Sequence, residues 1–198
     1  MESYKFIDRP NYERIKATAE EFYQTDENLA LAFLDFQWSY REMQKQYDNL
    51  LQRFSLTESR FIILMFLKRA KGNMLLPSEI SEKLGASRPT VSKLLKAMEK
   101  NKLVEKTSSV IDKRSVYFKI TDYGLEVLDN FVPSNFRAVE TIFSFLESED
   151  ISTLTRLLEK LNQGTNKLKK EMENPVIATV LATYPMSIML LASFSKKY

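Results

Sequence analysis

Two groups of side chains in this sequence are suited to holding anions. Lys93, Lys96 and Lys100 recur at spacings of three and four, which places them on one face of a helix. Farther on, the stretch SVIDKRSVYFKIT, residues 109–121, sets Lys113 and Arg114 beside Asp112 between two segments that read as strand. Lysine and arginine in such positions neutralise charge and donate hydrogen bonds, the chemistry that phosphates and base edges call for. The basic surplus is local. Residues 77–119 carry ten Lys or Arg against five Asp or Glu, whereas the whole chain of 198 residues carries 29 against 26 and a net charge of only +3.

Other chemistries are poorly served. The sequence has no His and no Cys, which removes the usual general base, the usual zinc ligands and any disulfide or thiol switch. Gly72, Gly85, Gly124 and Gly164 each stand alone, so there is no glycine-rich phosphate loop. The carboxylates, lysines and serines that remain have ordinary capping and surface explanations. The sequence predicts no enzyme and calls for no cofactor. Its opening residues, MESYKFIDRP, lack the apolar core of a signal peptide, and a cytoplasmic location is expected.

The elements that must position the basic groups can be read from caps and periodicity. Pro77 suits the first position of a short helix holding Ile80 and Leu84 and closed by Gly85; Ser87 then caps a second helix. That makes a helix-turn-helix. In the second helix Val91, Leu94, Leu95 and Met98 share one face, with Pro89, Lys93, Lys96 and Lys100 nearly opposite and Arg88 and Ser92 flanking them. Leu103–Lys106 and Val116–Ile120 read as the two strands of a hairpin, and a helix-turn-helix followed by a hairpin is a winged helix. The fold class expected is mainly α, a winged helix-turn-helix with a small β-hairpin wing and a helical dimerisation region drawn from both termini.

Those terminal helices have their own signatures. Pro10 opens a first helix with Tyr12, Ile15, Ala19 and Phe22 on a stripe. Asp26 caps a long helix to about Phe54, in which Leu29, Phe36, Met43 and Leu50 alternate with Phe33, Tyr40, Tyr47 and Phe54 at heptad spacing. A helix of that length, about 40 Å at ~1.5 Å per residue, exceeds what a small domain needs, so part of its stripe is expected to meet another helix or a second subunit. The competing reading is a long core helix in a monomer. Thr57 caps the next helix, which is expected to stop at Gly72. Asp122 starts another, which Pro133 is expected to kink or divide. Ser148 begins a helix with Ile151, Leu154, Leu157, Leu158 and Leu161 on a stripe that needs a partner. The division expected is 1–54 for dimerisation, 55–122 for the winged helix, 123–173 for further dimerisation helices and 174–198 as an apolar tail. The tail carries no charge from Pro175 to Ser195, but Pro185, two threonines and three serines dilute it, so packing on the dimer is expected rather than a membrane span.

From SLTESRFIILMFLKRAKG through LPSEISEKLGASRPTVSKLLKAMEKNKLVEK, DKRSVYFKITDYG and LESEDISTLTRLLEKL, about residues 55 to 163, the sequence resembles the MarR family of bacterial transcription regulators. The most diagnostic part is the wing pattern of Asp112, Arg114 and Ser115 followed by Thr121 and Gly124. The resemblance implies a homodimer on a pseudo-palindromic double-stranded DNA operator. It further implies that Arg114, held by Asp112, enters the minor groove, and that the start of the recognition helix meets bases and phosphates. The DNA-binding set is then Ser87, Arg88, Pro89, Thr90, Ser92, Lys93, Lys96, Asp112, Lys113 and Arg114. It implies a repressor released by a small aromatic or acidic effector, for which Trp38, Tyr40, Arg41 and Tyr47 are candidate pocket residues; the plainer reading makes those aromatics core. Lys102 stands where the family commonly has glycine, and Lys106 where arginine is frequent. A winged helix that only contacts proteins is the alternative function, against which the three lysines at 93, 96 and 100 weigh.

Overall fold

Helix boundaries are set by short polar side chains, and most lie where the capping pattern puts them. The computed structural model describes residues 10–22, 26–108 and 116–173. In chain order these form α1 (Tyr12–Phe22), α2 (Glu27–Arg53), α3 (Glu58–Arg69), β1 (Met74–Leu75), α4 (Pro77–Leu84), α5 (Arg88–Lys100), β2 (Val104–Ser108), β3 (Val116–Ile120), α6 (Asp122–Ile142) and α7 (Ser148–Glu173). Asp26 caps α2 by accepting from the Asn28 amide at 2.9 Å, and Thr57 caps α3 by accepting from Arg60. At α1 the cap is Asn11, which accepts from the Arg14 amide at 3.0 Å, so Pro10 precedes the helix instead of opening it. The wing tip and the apolar tail, with the expectations attached to them, lie outside the described residues.

Residues Glu42–Ser144 form one compact unit, and the flanking segments up to Arg41 and from Phe145 form another. In the first, α3, α4, α5 and the start of α6 enclose a core in which Ile63, Leu64, Leu67, Ile80, Val91, Met98, Leu128 and Phe131 are fully buried. Phe131 anchors it, meeting Phe54 and Phe61 edge-on with ring centres at 5.3 and 4.8 Å. The three strands form an antiparallel sheet in the order β1-β3-β2, with Met74 opposite Lys119 and Lys106 opposite Phe118.

Two further local expectations are corrected. Helix α3 ends at Arg69, short of Gly72, because Ala70 is already extended and residues Lys71–Asn73 turn tightly through Gly72 at φ +68°. That turn delivers Met74 and Leu75 to the sheet edge, a strand too short to show a period. Pro133 does not divide α6, which runs through it to Ile142. A proline inside a helix removes one backbone hydrogen bond, and the burial of Phe131 and the bond from the Tyr47 hydroxyl to Asn135, at 2.7 Å, hold the helix on both sides of it.

The long heptad stripe of α2 is split. Tyr47, Leu50 and Phe54 pack on the core of the compact unit, while Leu29, Phe33, Phe36, Tyr40 and Met43 are exposed in the single chain. The fully covered positions of α2 are Leu34 and Leu51, both off the stripe. Helix α7, of 26 residues, has no buried residue. Among the described residues no helix is long and apolar enough to cross a membrane.

Candidate nucleic-acid interface

The helix-turn-helix is built by one left-handed residue and two caps. Gly85, at φ +64°, ends α4, where a side chain would be strained, and its amide bonds back to Glu82 at 3.2 Å. The Ala86 amide returns to Ser81 at 3.1 Å, closing the turn. Two residues on, Ser87 accepts from the Thr90 amide, and the two hydroxyls lie 2.8 Å apart. Pro89, in the first turn of α5, gives up no needed hydrogen bond, because the first amides of a helix have no partner within it.

Helix α5 is two-faced. Val91, Leu95 and Met98 are fully buried, and this fixes the rotation of the helix. Ser87, Arg88, Pro89, Thr90, Ser92, Lys93 and Lys96 are all exposed, and Lys100 extends the same cationic face by a turn. The helix's single acid is Glu99, in its last turn. Arg88, Lys93, Lys96 and Lys100 have no ion-pair partner among the described residues. Asp112, Lys113 and Arg114 fall in the undescribed tip between β2 and β3, so the structure brings together only the helical part of the expected set.

The root of the wing is tied firmly to the body. Thr121 caps α6 by accepting from the Gly124 amide at 2.9 Å, while its hydroxyl donates to the Lys102 carbonyl at 2.6 Å. Gly124 is required by proximity, since a Cβ there would lie 2.2 Å from the Leu103 carbonyl oxygen. Lys102 adopts φ +59°, the left-handed region that favours glycine, which is the physical meaning of the family's usual residue at that position. Sequence reasoning missed one contact: Lys106 Nζ lies 2.8 Å from Glu99 Oε2, joining β2 to α5.

Tyr47 lines a groove of about 410 Å³ between α2 and α6, together with Gln46, Leu50, Arg53, Arg137 and Thr141 among others; Trp38, Tyr40 and Arg41 are not among its lining residues.

Residues 54–115 match the MarR family model. Over that stretch, which holds the helix-turn-helix and the first strand of the wing, the chain is similar to the MarR family. The chain is 24% identical to the HTH-type transcriptional repressor YetL of Bacillus subtilis over 81% of its own length and 96% of YetL, and 28% identical to the transcriptional repressor MprA of Escherichia coli over 63% and 70%. Two MarR-family regulators of Streptomyces coelicolor share the fold. AbsC aligns with a TM-score of 0.62 at 23% identity over 72% of this chain and 97% of AbsC. Sco3205, solved in complex with DNA, aligns at 0.61 and 22% over 71% and 89%. These MarR-family relatives are regulators by name, and none of those four is named as an enzyme.

Proposed function

We propose that this chain is a homodimeric transcriptional repressor of the cytoplasm that binds a pseudo-palindromic double-stranded operator. The observation that carries this reading is the rotation of α5: its apolar face is sealed in the core, which leaves Arg88, Lys93, Lys96 and Lys100 presented together to solvent. A helix fits the major groove, where Ser87, Arg88, Pro89, Thr90, Ser92, Lys93 and Lys96 are the contacting set. Arg114, oriented by Asp112 and flanked by Lys113, serves the adjacent minor groove. The names of YetL and MprA as repressors and the DNA complex of Sco3205 support the same reading.

Residues 1–54 and 123–173 supply the dimer surface, in keeping with the exposed leucines and aromatics of α2 and α7. Such a dimer would set two copies of α5 about one helical turn of DNA apart, ~34–36 Å. Release by a small aromatic or acidic effector fits the groove lined by Tyr47, Arg53 and Arg137 better than it fits Trp38, Tyr40 and Arg41.

Selection of duplexes from a random pool by the full chain tests this directly. The expected result is an inverted repeat whose affinity falls steeply with salt, the slope flattening by about 0.9 when Lys93 is replaced by alanine. Failure to enrich any sequence, with a folded dimer in hand, would favour a winged helix used only for protein contact.

A further inference from the structure

An acid on a DNA-facing cationic helix is electrostatically out of place. Glu99 is the only acid on α5, among Arg88, Lys93, Lys96 and Lys100, and every nearby phosphate would repel it. Its carboxylate is engaged instead by Lys106 Nζ at 2.8 Å, from the middle of β2. Lys106 is itself seated. It lies directly opposite Phe118 in the β2–β3 register, and its ammonium sits 5.8 Å from the centre of that ring. Phe118 is buried in the core. The pair therefore connects the last turn of the recognition helix to the wing through a residue braced on a fixed aromatic.

The root of the wing is fixed by the buried Leu103 and Val104, and the strut acts farther out along β2. Strand β2 is the outer strand of the sheet, and β3 is backed on its other side only by the two residues of β1. A tilt at Lys106 is carried along the strand to Ser108 at ~3.3 Å per residue.

We propose that Glu99 and Lys106 form a strut that sets the angle of the wing to the recognition helix, and that Glu99 is a positioning residue for minor-groove reading. The inference rests on the DNA-binding function proposed above. As a half-exposed ion pair the strut adds little to stability. Its effect lies in where the wing points.

The Glu99→Gln variant separates this from plain electrostatics by sign. Removing a negative charge beside DNA should tighten binding to every duplex by Coulomb's law alone. Loss of the strut should instead weaken binding about 3- to 10-fold to the selected duplex and erase its preference for A·T over G·C flanks. Lys106→Met, which keeps the apolar stem over Phe118, should do the same. The exchanged pair Glu99→Lys with Lys106→Glu preserves net charge and should restore both affinity and flank preference. Amide exchange of residues 116–119 in the free protein gives a reading that needs no DNA, and it should quicken in Glu99→Gln and recover in the exchanged pair. Tighter or unchanged binding by Glu99→Gln with its flank preference intact would overturn the strut. If the wild-type chain binds no duplex, the function proposed above fails, while unchanged amide exchange would overturn the strut by itself.

Discussion

The lobe of Glu42–Ser144 and the helices outside it treat their apolar residues in opposite ways. In the lobe, eight side chains have no accessible surface at all, and one ring, Phe131 of α6, meets Phe54, just past the end of α2, and Phe61 of α3. In the other unit Leu29 is 66% exposed, Phe145 95% and Leu161 52%. The α5 face of the lobe presents lysines, while Leu29, Leu157, Leu158 and Leu161 are among the exposed side chains of the outer helices. A lone chain satisfies the first region and leaves the second half-made. On the dimeric reading proposed above, a stripe of that extent on a helix of 26 residues is the surface a second subunit would cover.

The comparison breaks most severely if the exposed stripe is not an interface. Replacing Leu157 and Leu161 together by aspartate should abolish the dimer, because each leucine buried there is worth about 1.5–3 kcal/mol. Sedimentation should find the association weakened by more than about 100-fold, while the lobe keeps its thermal unfolding. An unchanged dimer would mean that the stripe faces something else. The converse is the lobe's own core. Phe131→Ala should cost about 3–5 kcal/mol of lobe stability in urea titrations, with assembly surfaces intact. A loss below about 1 kcal/mol would mean that the core can collapse around the vacancy, contrary to its close packing.

The junction between core and wing sharpens the contrast at smaller scale. Thr121→Ala removes both the α6 cap and the bond to the Lys102 carbonyl and should cost about 1–2 kcal/mol, read as a lowered urea midpoint. Serine at the same position should restore most of it. If alanine and serine behave alike, the hydroxyl contributes nothing and the close approach of Gly124 to Leu103 alone holds the root.

Legibility in the sequence followed the same division. Caps are short-range chemistry, so Asp26, Thr57, Ser87 and Gly85 announced their helices, and the 100° spacing of Val91, Leu95 and Met98 announced which face of α5 would be sealed. What escaped depends on tertiary partners. Met74 and Leu75 are a strand only because Lys119 and Phe118 lie opposite them. Pro133 reads as a kink or a break, and the surrounding packing carries the helix through it without a break. Heptad spacing in α2 passed over its covered positions, Leu34 and Leu51, and did not say that Tyr47, Leu50 and Phe54 serve the chain's own core while Leu29 to Met43 do not. The Glu99–Lys106 pair joins a helix to a strand seven positions on, and no local pattern marks it.

The smallest expected effect tests how Tyr47 belongs to the lobe. Its phenol is raised above the ordinary 10.0, first by burial and then by the carboxylates of Glu58 and Asp48, and its hydroxyl donates to Asn135 Oδ1 at 2.7 Å. Below pH 10 the phenol is protonated in folded and unfolded chains alike, so whatever this residue contributes is fully present and constant. Above it the unfolded chain gives up the proton first, which favours unfolding, and the contribution is lost progressively until the folded phenol also ionises. Tyr47→Phe removes the hydrogen bond and should cost about 0.5–1.5 kcal/mol at neutral pH. It also removes the alkaline loss. The stability gap between wild type and variant should therefore hold steady up to about pH 9 and narrow by pH 11. Urea unfolding of the two at those pH values reads the gap directly. Parallel curves across that range would mean that the phenol ionises alike in both states, and that its bond to Asn135 does not hold α2 against α6 in solution.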